Sequence, residues 1–259
     1  MWLLSSVPMR EAYEYLFFML TVYFGIKMHA EKDLRYYPIV LLLAFCMSLF
    51  HKGLVLFMVP LVVILTLLHF DSRGPARIIP GNSRKYRFSL YTLLFVLVVF
   101  SVLIIAQYPH LFHETQREVF SGEIFRYIEE YREGKLDYRA AYGLQLSYDN
   151  PLLLAGSFFQ IVFYYFLYPF PWEVENGKDI YAVMEIAWRL VLIISASVLV
   201  CRSKGNYRRI YAMLLILYFI NSVMWALGTK NYGTAIRHHL VPYWIIVLLG
   251  YAGSCRIAE

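Results

Sequence analysis

The chain has 259 residues, of which 60% are hydrophobic and 16% charged, and its formal net charge is +6. A soluble domain is typically about 45–50% apolar and about 25% charged, so this composition excludes an ordinary soluble domain, a disordered chain and a disulfide scaffold. It predicts an all-α, polytopic integral membrane bundle, and the length accommodates roughly six to eight spans of ~20 residues.

An excess of Lys and Arg in such a chain sets its orientation in the membrane. No basic stripe with interleaved aromatic residues is present, so we expect no nucleic-acid partner. The three cysteines, Cys46, Cys201 and Cys255, are far apart and lie in or beside apolar segments. No Cys/His spacing typical of zinc occurs, and we expect neither a metal nor a cofactor.

Eight apolar segments follow one another along the chain, and each is interpreted as a helix. In chain order they are residues 12–28, 38–50, 53–70, 89–108, 151–170, 181–201, 210–228 and 240–254. The stretch 38–70 would be ~50 Å long as one helix, against a hydrocarbon core of ~30 Å. We therefore expect two helices joined by a tight polar turn at His51-Lys52-Gly53. The whole chain, 1–259, is expected to form a single transmembrane domain.

One long polar segment, residues 109–150, interrupts this pattern. It carries apolar residues at the spacing of one helical face, and these are Phe120, Ile124, Tyr127, Ile128 and Tyr131. We expect an extracytoplasmic amphipathic helix lying on the bilayer surface. A lid that covers a substrate is the alternative.

Two loops are strongly basic, with five Lys and Arg residues within 71–88 and four within 201–209. Short loops of this kind stay in the cytoplasm, but these two share a side only if segment 151–170 does not cross the membrane. Prolines at both of its ends suit a broken or dipping helix. We expect seven spans plus one re-entrant segment, with the N-terminus outside and the C-terminus inside.

Several polar clusters then fall on the outer face. In the segment 228–242, two glycines and an Asn predict a turn, and Arg237, His238 and His239 follow where the last helix enters the membrane. An Arg fork and the free N–H groups of a helix N-terminus both suit a phosphate group. Snorkelling of these side chains to the interface is the alternative.

Four further groups are candidates for chemistry. Placing His51 and Lys52 between two apolar helices costs free energy unless their side chains contact water, lipid headgroups or a partner. Glu185 and Arg189 are spaced for an ion pair on one helix face, either inside the membrane or at its interface. Arg10, Glu11 and Glu14 lie at the mouth of the first span, where Arg10 and Glu14 can pair. The elbow Tyr168-Pro169-Phe170-Pro171-Trp172-Glu173 is rigid and amphipathic; we interpret it as architectural, or as a contact for sugar or isoprenoid through Trp172.

The motifs P-M-R-E (8–11), S-L-F-H-K-G (48–53), P-F-P-W-E (169–173) and G-T-x-x-x-G-T-A-x-R-H-H-x-x-P (228–242) together resemble those of bacterial polysaccharide-assembly membrane proteins. These are similar to the O-antigen and capsule polymerases. The resemblance covers most of the chain. Because those polymerases usually have more spans, the chain resembles their C-terminal two-thirds.

The resemblance implies transfer of a glycan from an undecaprenyl-diphosphate carrier to a growing chain, at the outer face of the cytoplasmic membrane. Membrane lipid, the lipid-linked glycan and other polysaccharide-assembly proteins would be the partners. Arg237, Arg10 and Lys52 would stabilise the diphosphate leaving group without a metal. His238, His239, His51 or Glu11 would take the proton of the acceptor hydroxyl.

Whether the chain is an enzyme stays open at this point. A transporter or flippase for a lipid-linked anion would use the Glu185–Arg189 pair along a path between the leaflets. A non-catalytic membrane subunit or a truncated remnant would need none of these polar residues.

Overall fold

The structure is a computed structural model that describes residues 2–71, 141–142, 144–147 and 150–258. The predicted span 89–108, and the amphipathic helix predicted around residues 120–131 of the polar segment 109–150, lie outside these residues. The described part is all-helical, as expected, without a strand. Its α-helices are α1 (Trp2–Glu31), α2 (Tyr37–Ser48), α3 (Lys52–Asp71), α4 (Pro151–Leu167), α5 (Gly177–Arg202), α6 (Gly205–Gly228) and α7 (Tyr232–Ala258).

The predicted break between α2 and α3 is present, but it lies at residues 49–51 rather than at 51–53. Helix α2 ends at Ser48, α3 begins at Lys52, and only three residues separate them. The preceding connection holds the short 3-10 helix Leu34–Tyr36, capped by Asp33. Hydrogen bonds from Arg35 lower the pKa of the Asp33 carboxyl.

Aromatic and small side chains join the helices into a bundle. Phe18 of α1 packs edge-to-face on Phe57 of α3 and on Trp244 of α7, with ring centroids 5.2 and 5.8 Å apart. Helices α5 and α7 approach much more closely, because Gly253 rests directly on the backbone carbonyl of Ser195. The absence of a side chain at this glycine is what allows the approach.

One end of the bundle gathers the α2–α3 turn, the α6–α7 turn and the start of α5; we call it the His51 end. The His51 ring lies 4.5 Å from the ring of Trp225 at the end of α6. Tyr232, the first residue of α7, donates a short hydrogen bond to Asp179 in the first turn of α5. The N-terminal half of α1 reaches this end too, where Tyr13 stacks on Phe50.

The opposite end, which we call the Asn206 end, holds the last turns of α1 and α3 and the α5–α6 turn. The ring of His29 is fully buried there, with Nδ1 2.8 Å from the Leu68 carbonyl and Nε2 2.8 Å from Asn206 Oδ1. Arg202 donates to the carbonyl of Arg256 near the end of α7. The basic residues of the α5–α6 turn therefore lie at the end opposite His51.

Helix α4 does not join the two ends. Before α4, the chain contacts the α6–α7 turn at Tyr142. The N–H and the hydroxyl of this residue donate to the carbonyls of Lys230 and Thr229, both at a distance of 2.9 Å. The chain returns at Tyr168, whose ring lies 5.6 Å from that of Tyr142. Residues 142–168 thus begin and end at the His51 end, and we call them the α4 hairpin.

Two described helices, α5 and α6, are long and apolar enough to cross a membrane by length and composition. Shorter apolar helical stretches occupy Leu34–Ser48, Phe57–His69 and Pro151–Leu167. At 1.5 Å per residue, the 17 residues of α4 measure ~25 Å, less than the ~30 Å of a hydrocarbon core.

Candidate functional site

Helix α7 starts earlier than the sequence suggested, and this changes the setting of its polar triplet. The Asn231 side chain accepts hydrogen bonds from the N–H groups of Gly233 and Thr234 at 2.8 and 3.4 Å, as helix-capping side chains do. The helix therefore begins at Tyr232 rather than near 240. Arg237 lies more than one turn inside it, and Asn231 occupies N–H groups that we expected to be open to an anion.

The three side chains of the triplet point to three different neighbours. Arg237 faces α1, where its Nη1 lies 3.9 Å from Glu11 Oε1. His238 faces the end of α6 and stacks on Trp225 with ring centroids 3.9 Å apart. His239 faces α4, and its ring centroid is 4.2 Å from that of Tyr165. Successive helix positions are rotated by about 100°, so adjacent residues contact different elements.

The Arg237 contact links the start of α1 to α7. Arg10 Nε lies 3.4 Å from Glu14 Oε1, which confirms the expected i, i+4 pairing. The side chains of Arg10 and Arg237 are 42% and 49% exposed, whereas Glu14 is 2% exposed. The two guanidinium groups are thus held by carboxylates on the protein side while remaining open to solvent, a setting in which they can also contact an anion.

His51, Trp225 and His238 form an aromatic cluster at the same end of the bundle. The rings of His51 and His238 are 6.3 Å apart, and both contact Trp225. Thr229 Oγ1 donates to the Trp225 carbonyl and lies 3.0 Å from His238 Nδ1. Because the hydroxyl proton is directed to that carbonyl, Thr229 accepts from His238 Nδ1–H, so Nε2 carries the lone pair of the neutral ring.

A second polar cluster lies deeper, between α4, α5 and α7. Arg189 of α5 is 2% exposed; its Nη2 donates to the Phe166 carbonyl over 2.8 Å, and its Nη1 lies 3.5 Å from Glu185 Oε2. His239 is 1% exposed, with Nε2 3.2 Å from the Tyr165 carbonyl. Both carbonyls belong to the last turn of α4, where helical carbonyls lack partners within the helix. Arg189 and His239 therefore cap the C-terminus of α4.

The position of Arg189 distinguishes the two settings expected for the Glu185–Arg189 pair. Helix α5 begins at Gly177, where Asn176 and Asp179 form a reciprocal capping box. Arg189 is therefore about three turns from the helix start, and its side chain is buried in the bundle.

The elbow after α4 carries a prominent exposed aromatic ring. Trp172 is 78% exposed, and its ring stacks on Phe170 at 5.0 Å and 9°. Trp172 thus lies at the His51 end but on the α4–α5 side, and no contact links it to Arg237 among the described residues.

The structure thus divides the predicted site residues into two groups. Arg10, Glu11, His51, Arg237 and His238 lie at the His51 end, and we call them the outer cluster; within it Arg237 contacts Glu11, and both histidines contact Trp225. Glu185, Arg189 and His239 form an inner cluster beneath the α4 hairpin. The side chain of Lys52 lies outside the described structure.

Three residues of these clusters were not singled out from the sequence. Trp225 lies three residues before the 228–242 motif, and a large aromatic ring so close to that motif could have indicated a role in the site. Thr229 lies within that motif. For Tyr165 no local signal existed, because its role depends on the return of α4 to the bundle.

Comparisons with protein-family models, with curated proteins and with solved structures found no match to this chain.

Proposed function

We propose that the chain is a multi-pass protein of the bacterial cytoplasmic membrane. The apolar length of α5 and α6 supports this, as does the outer surface of α5. Trp188, Val191 and Ile194 in the middle of that helix are 50–63% exposed. A contiguous apolar surface of this kind is unusual on a soluble monomer and suits contact with lipid.

The proposed topology has seven spans plus the re-entrant α4 hairpin, with the predicted helix 89–108 as one of the spans. The return of the hairpin to the His51 end supports this count. Arg202, Lys204, Arg208 and Arg209 at the Asn206 end favour a cytoplasmic location for that end. The His51 end then faces outward.

The function we propose is polymerisation or transfer of lipid-linked glycan units at the outer membrane face. The observation that carries it is the outer cluster, in which Arg237 lies 3.9 Å from Glu11 and His238 stacks on Trp225. Two partly exposed arginines and an oriented histidine at the same end of the bundle would supply the two kinds of group that such a transfer needs.

In the proposed reaction, the acceptor hydroxyl loses its proton to Nε2 of His238 while its oxygen bonds to the anomeric carbon. The bond from that carbon to the diphosphate oxygen breaks, and the electron pair leaves with the diphosphate. Arg237 and Arg10 stabilise the charge that develops there. The partners are membrane lipid, an isoprenoid-diphosphate glycan and other polysaccharide-assembly proteins.

The test is a gel of lipid-linked glycan from a deletion strain that carries wild type, Arg237→Ala or Arg35→Ala. Arg35 is a matched control, because it is 91% exposed and lies near the Asn206 end. We expect a polymer ladder from wild type and Arg35→Ala, and single units from Arg237→Ala at normal membrane insertion. A ladder from Arg237→Ala would exclude Arg237 from the site. The absence of a ladder from wild type would refute the proposed function.

A transporter of a lipid-linked anion is the second candidate, favoured by the buried Glu185–Arg189 pair. Intramembrane charges commonly mark such paths. In that case a cysteine at Ala182, a buried position one turn before Glu185, would react with impermeant reagents from both sides of the membrane. Labelling from one side only would refute transport.

A further inference from the structure

The inner cluster contains more polar atoms than the capping of α4 uses. Several side chains of the described residues have buried atoms with no hydrogen-bond partner, and four of these side chains belong to the inner cluster: Arg189 (Nε and Nη1), Glu185 (Oε2), Tyr165 (Oη) and His239 (Nδ1). Arg189 Nη1 and Glu185 Oε2 are linked only by their 3.5 Å ion pair. Unsatisfied buried polar atoms are costly, so this concentration indicates that something else binds here.

The four groups lie close enough to act together. Arg189 Nη1 lies 3.5 Å from Glu185 Oε2, and Arg189 and His239 donate to the carbonyls of the consecutive residues Phe166 and Tyr165. The Tyr165 and His239 rings are in contact, and the Arg189 guanidinium lies 5.9 Å from the centroid of the Phe166 ring. Polar atoms from three helices therefore converge on one buried location with aromatic walls.

The kinds of unsatisfied atoms identify the ligand class. Arg189 offers donors, Glu185 offers an acceptor, and Tyr165 offers both. His239 uses Nε2–H on the Tyr165 carbonyl, so its Nδ1 is an acceptor in the neutral ring. A phosphate group brings acceptors and negative charge, so its oxygens would face the acceptors Glu185 Oε2 and His239 Nδ1 without a hydrogen bond. A sugar ring brings hydroxyl groups that donate and accept, and it satisfies all four.

Helix α4 covers this location, so a ligand that binds there would contact the last turn of α4. Pro151 through Gln160 contain no buried residue, and the buried residues of the helix are Ile161 and Tyr165. In its last turn, α4 is also held by the hydrogen bonds of Arg189 and His239 to its carbonyls and by packing of Phe166 on Tyr218 and Phe219 of α6. The contacts between α4 and the bundle are therefore concentrated in the last turn of α4, which covers the inner cluster.

We propose that Arg189, Glu185, Tyr165 and His239 form a sugar-binding subsite beneath α4, which takes one monosaccharide ring of the glycan substrate. This inference rests on the proposed function for the source of the sugar. The site is distinct from the outer cluster, which contacts the diphosphate. The two lie on neighbouring positions of α7, so a single lipid-linked glycan can contact both.

The deciding variant is Tyr165→Phe, which removes a hydroxyl without a protein partner and keeps the ring. Arg189→Ala is unsuitable, because it would leave Glu185 buried without its ion pair and destabilise the fold. The matched control is Tyr37→Phe, a buried tyrosine at the Asn206 end. The experiment uses the purified full chain in lipid nanodiscs, and it measures the thermal midpoint of unfolding against added ligand.

The probe is free glycan released by mild acid from the lipid-linked pool of the deletion strain. We expect it to raise the midpoint of wild type and Tyr37→Phe by at least about 2 °C. Tyr165→Phe should retain the midpoint of wild type without ligand and need about tenfold more glycan for the same rise, as expected for one lost hydrogen bond.

Equal responses from all three proteins, or no response from wild type, would overturn the subsite. A Tyr165-dependent response to inorganic diphosphate would overturn the assignment to a sugar. These outcomes are independent of the polymer ladder: a ladder without a Tyr165-dependent shift refutes the subsite alone, and a missing ladder refutes the proposed function alone.

Discussion

His238 and His239 are adjacent in the chain, but their hydrogen-bond partners place the ring proton on different nitrogens. His238 donates from Nδ1 to the hydroxyl of Thr229, and His239 donates from Nε2 to the carbonyl of Tyr165. The lone pair of His238 is therefore on Nε2 and that of His239 on Nδ1. The two rings serve different clusters, and substitutions that affect one should spare the other.

Thr229→Val tests whether the orientation of His238 matters. The change keeps the side-chain shape but removes the acceptor of His238 Nδ1–H, so both ring tautomers become populated. We expect about a tenfold loss of polymer formation in the ladder assay and a loss of about 1–2 kcal/mol in unfolding free energy.

Thr229→Ser keeps the hydroxyl and should restore the ladder. Thr21→Val is the matched control, because Thr21 donates only to the carbonyl of Phe17 within α1. If Thr229→Val polymerises as well as Thr21→Val, the tautomer of His238 has no part in the reaction.

Exchange of the charges at Glu11 and Arg237 separates an anion-binding role from a simple ion pair. The double variant Glu11→Arg with Arg237→Glu preserves an attractive pair between α1 and α7. Because this pair is partly exposed, the exchange should alter stability by no more than ~1 kcal/mol. Polymer formation should still fail, since the guanidinium has left α7. A ladder of wild-type length from the exchanged protein would mean that only the pairing matters.

Gly253→Ala tests the close approach of α5 and α7. A Cβ at this position would collide with the backbone carbonyl of Ser195, which cannot rotate away. We expect a loss of about 1–3 kcal/mol, measured by thermal unfolding in detergent. Gly156→Ala on α4 is the control, because nothing lies within 4 Å of its added Cβ. It should be neutral or stabilising by up to ~1 kcal/mol. Equal effects from both would contradict the tight α5–α7 contact.

Cysteine labelling tests which end of the bundle faces outward. In a background without the native cysteines, Glu173→Cys at the elbow should react with an impermeant maleimide in intact cells. A protein that retains only Cys201, which is exposed at the end of α5, should react only after the membrane is opened. The reverse pattern would invert the topology, and reaction of both in intact cells would place both ends on one side.

The sequence by itself determined where most helices lie, because helix formation and helix ends depend on local chemistry. Apolar runs of sufficient length predicted α1 to α7 of the described structure, and the polar triplet at 51–53 predicted the break between α2 and α3. The pairing of Arg10 with Glu14 followed from its i, i+4 spacing. The start of α7 was placed too late because hydropathy marks the apolar part of a helix, whereas the cap at Asn231 marks its beginning.

Only the tertiary structure decided which polar residues meet. Arg237 and Glu11 are separated by most of the chain, and no local pattern pairs them. The division of His238 and His239 between two clusters depends on which helices pack beside each face of α7. The cluster beneath α4 exists because residues 142–168 return to the end at which they began, so that Tyr165 and Phe166 meet Arg189 and His239. Such contacts depend on long-range packing and hydrogen bonding, which neither composition nor spacing records.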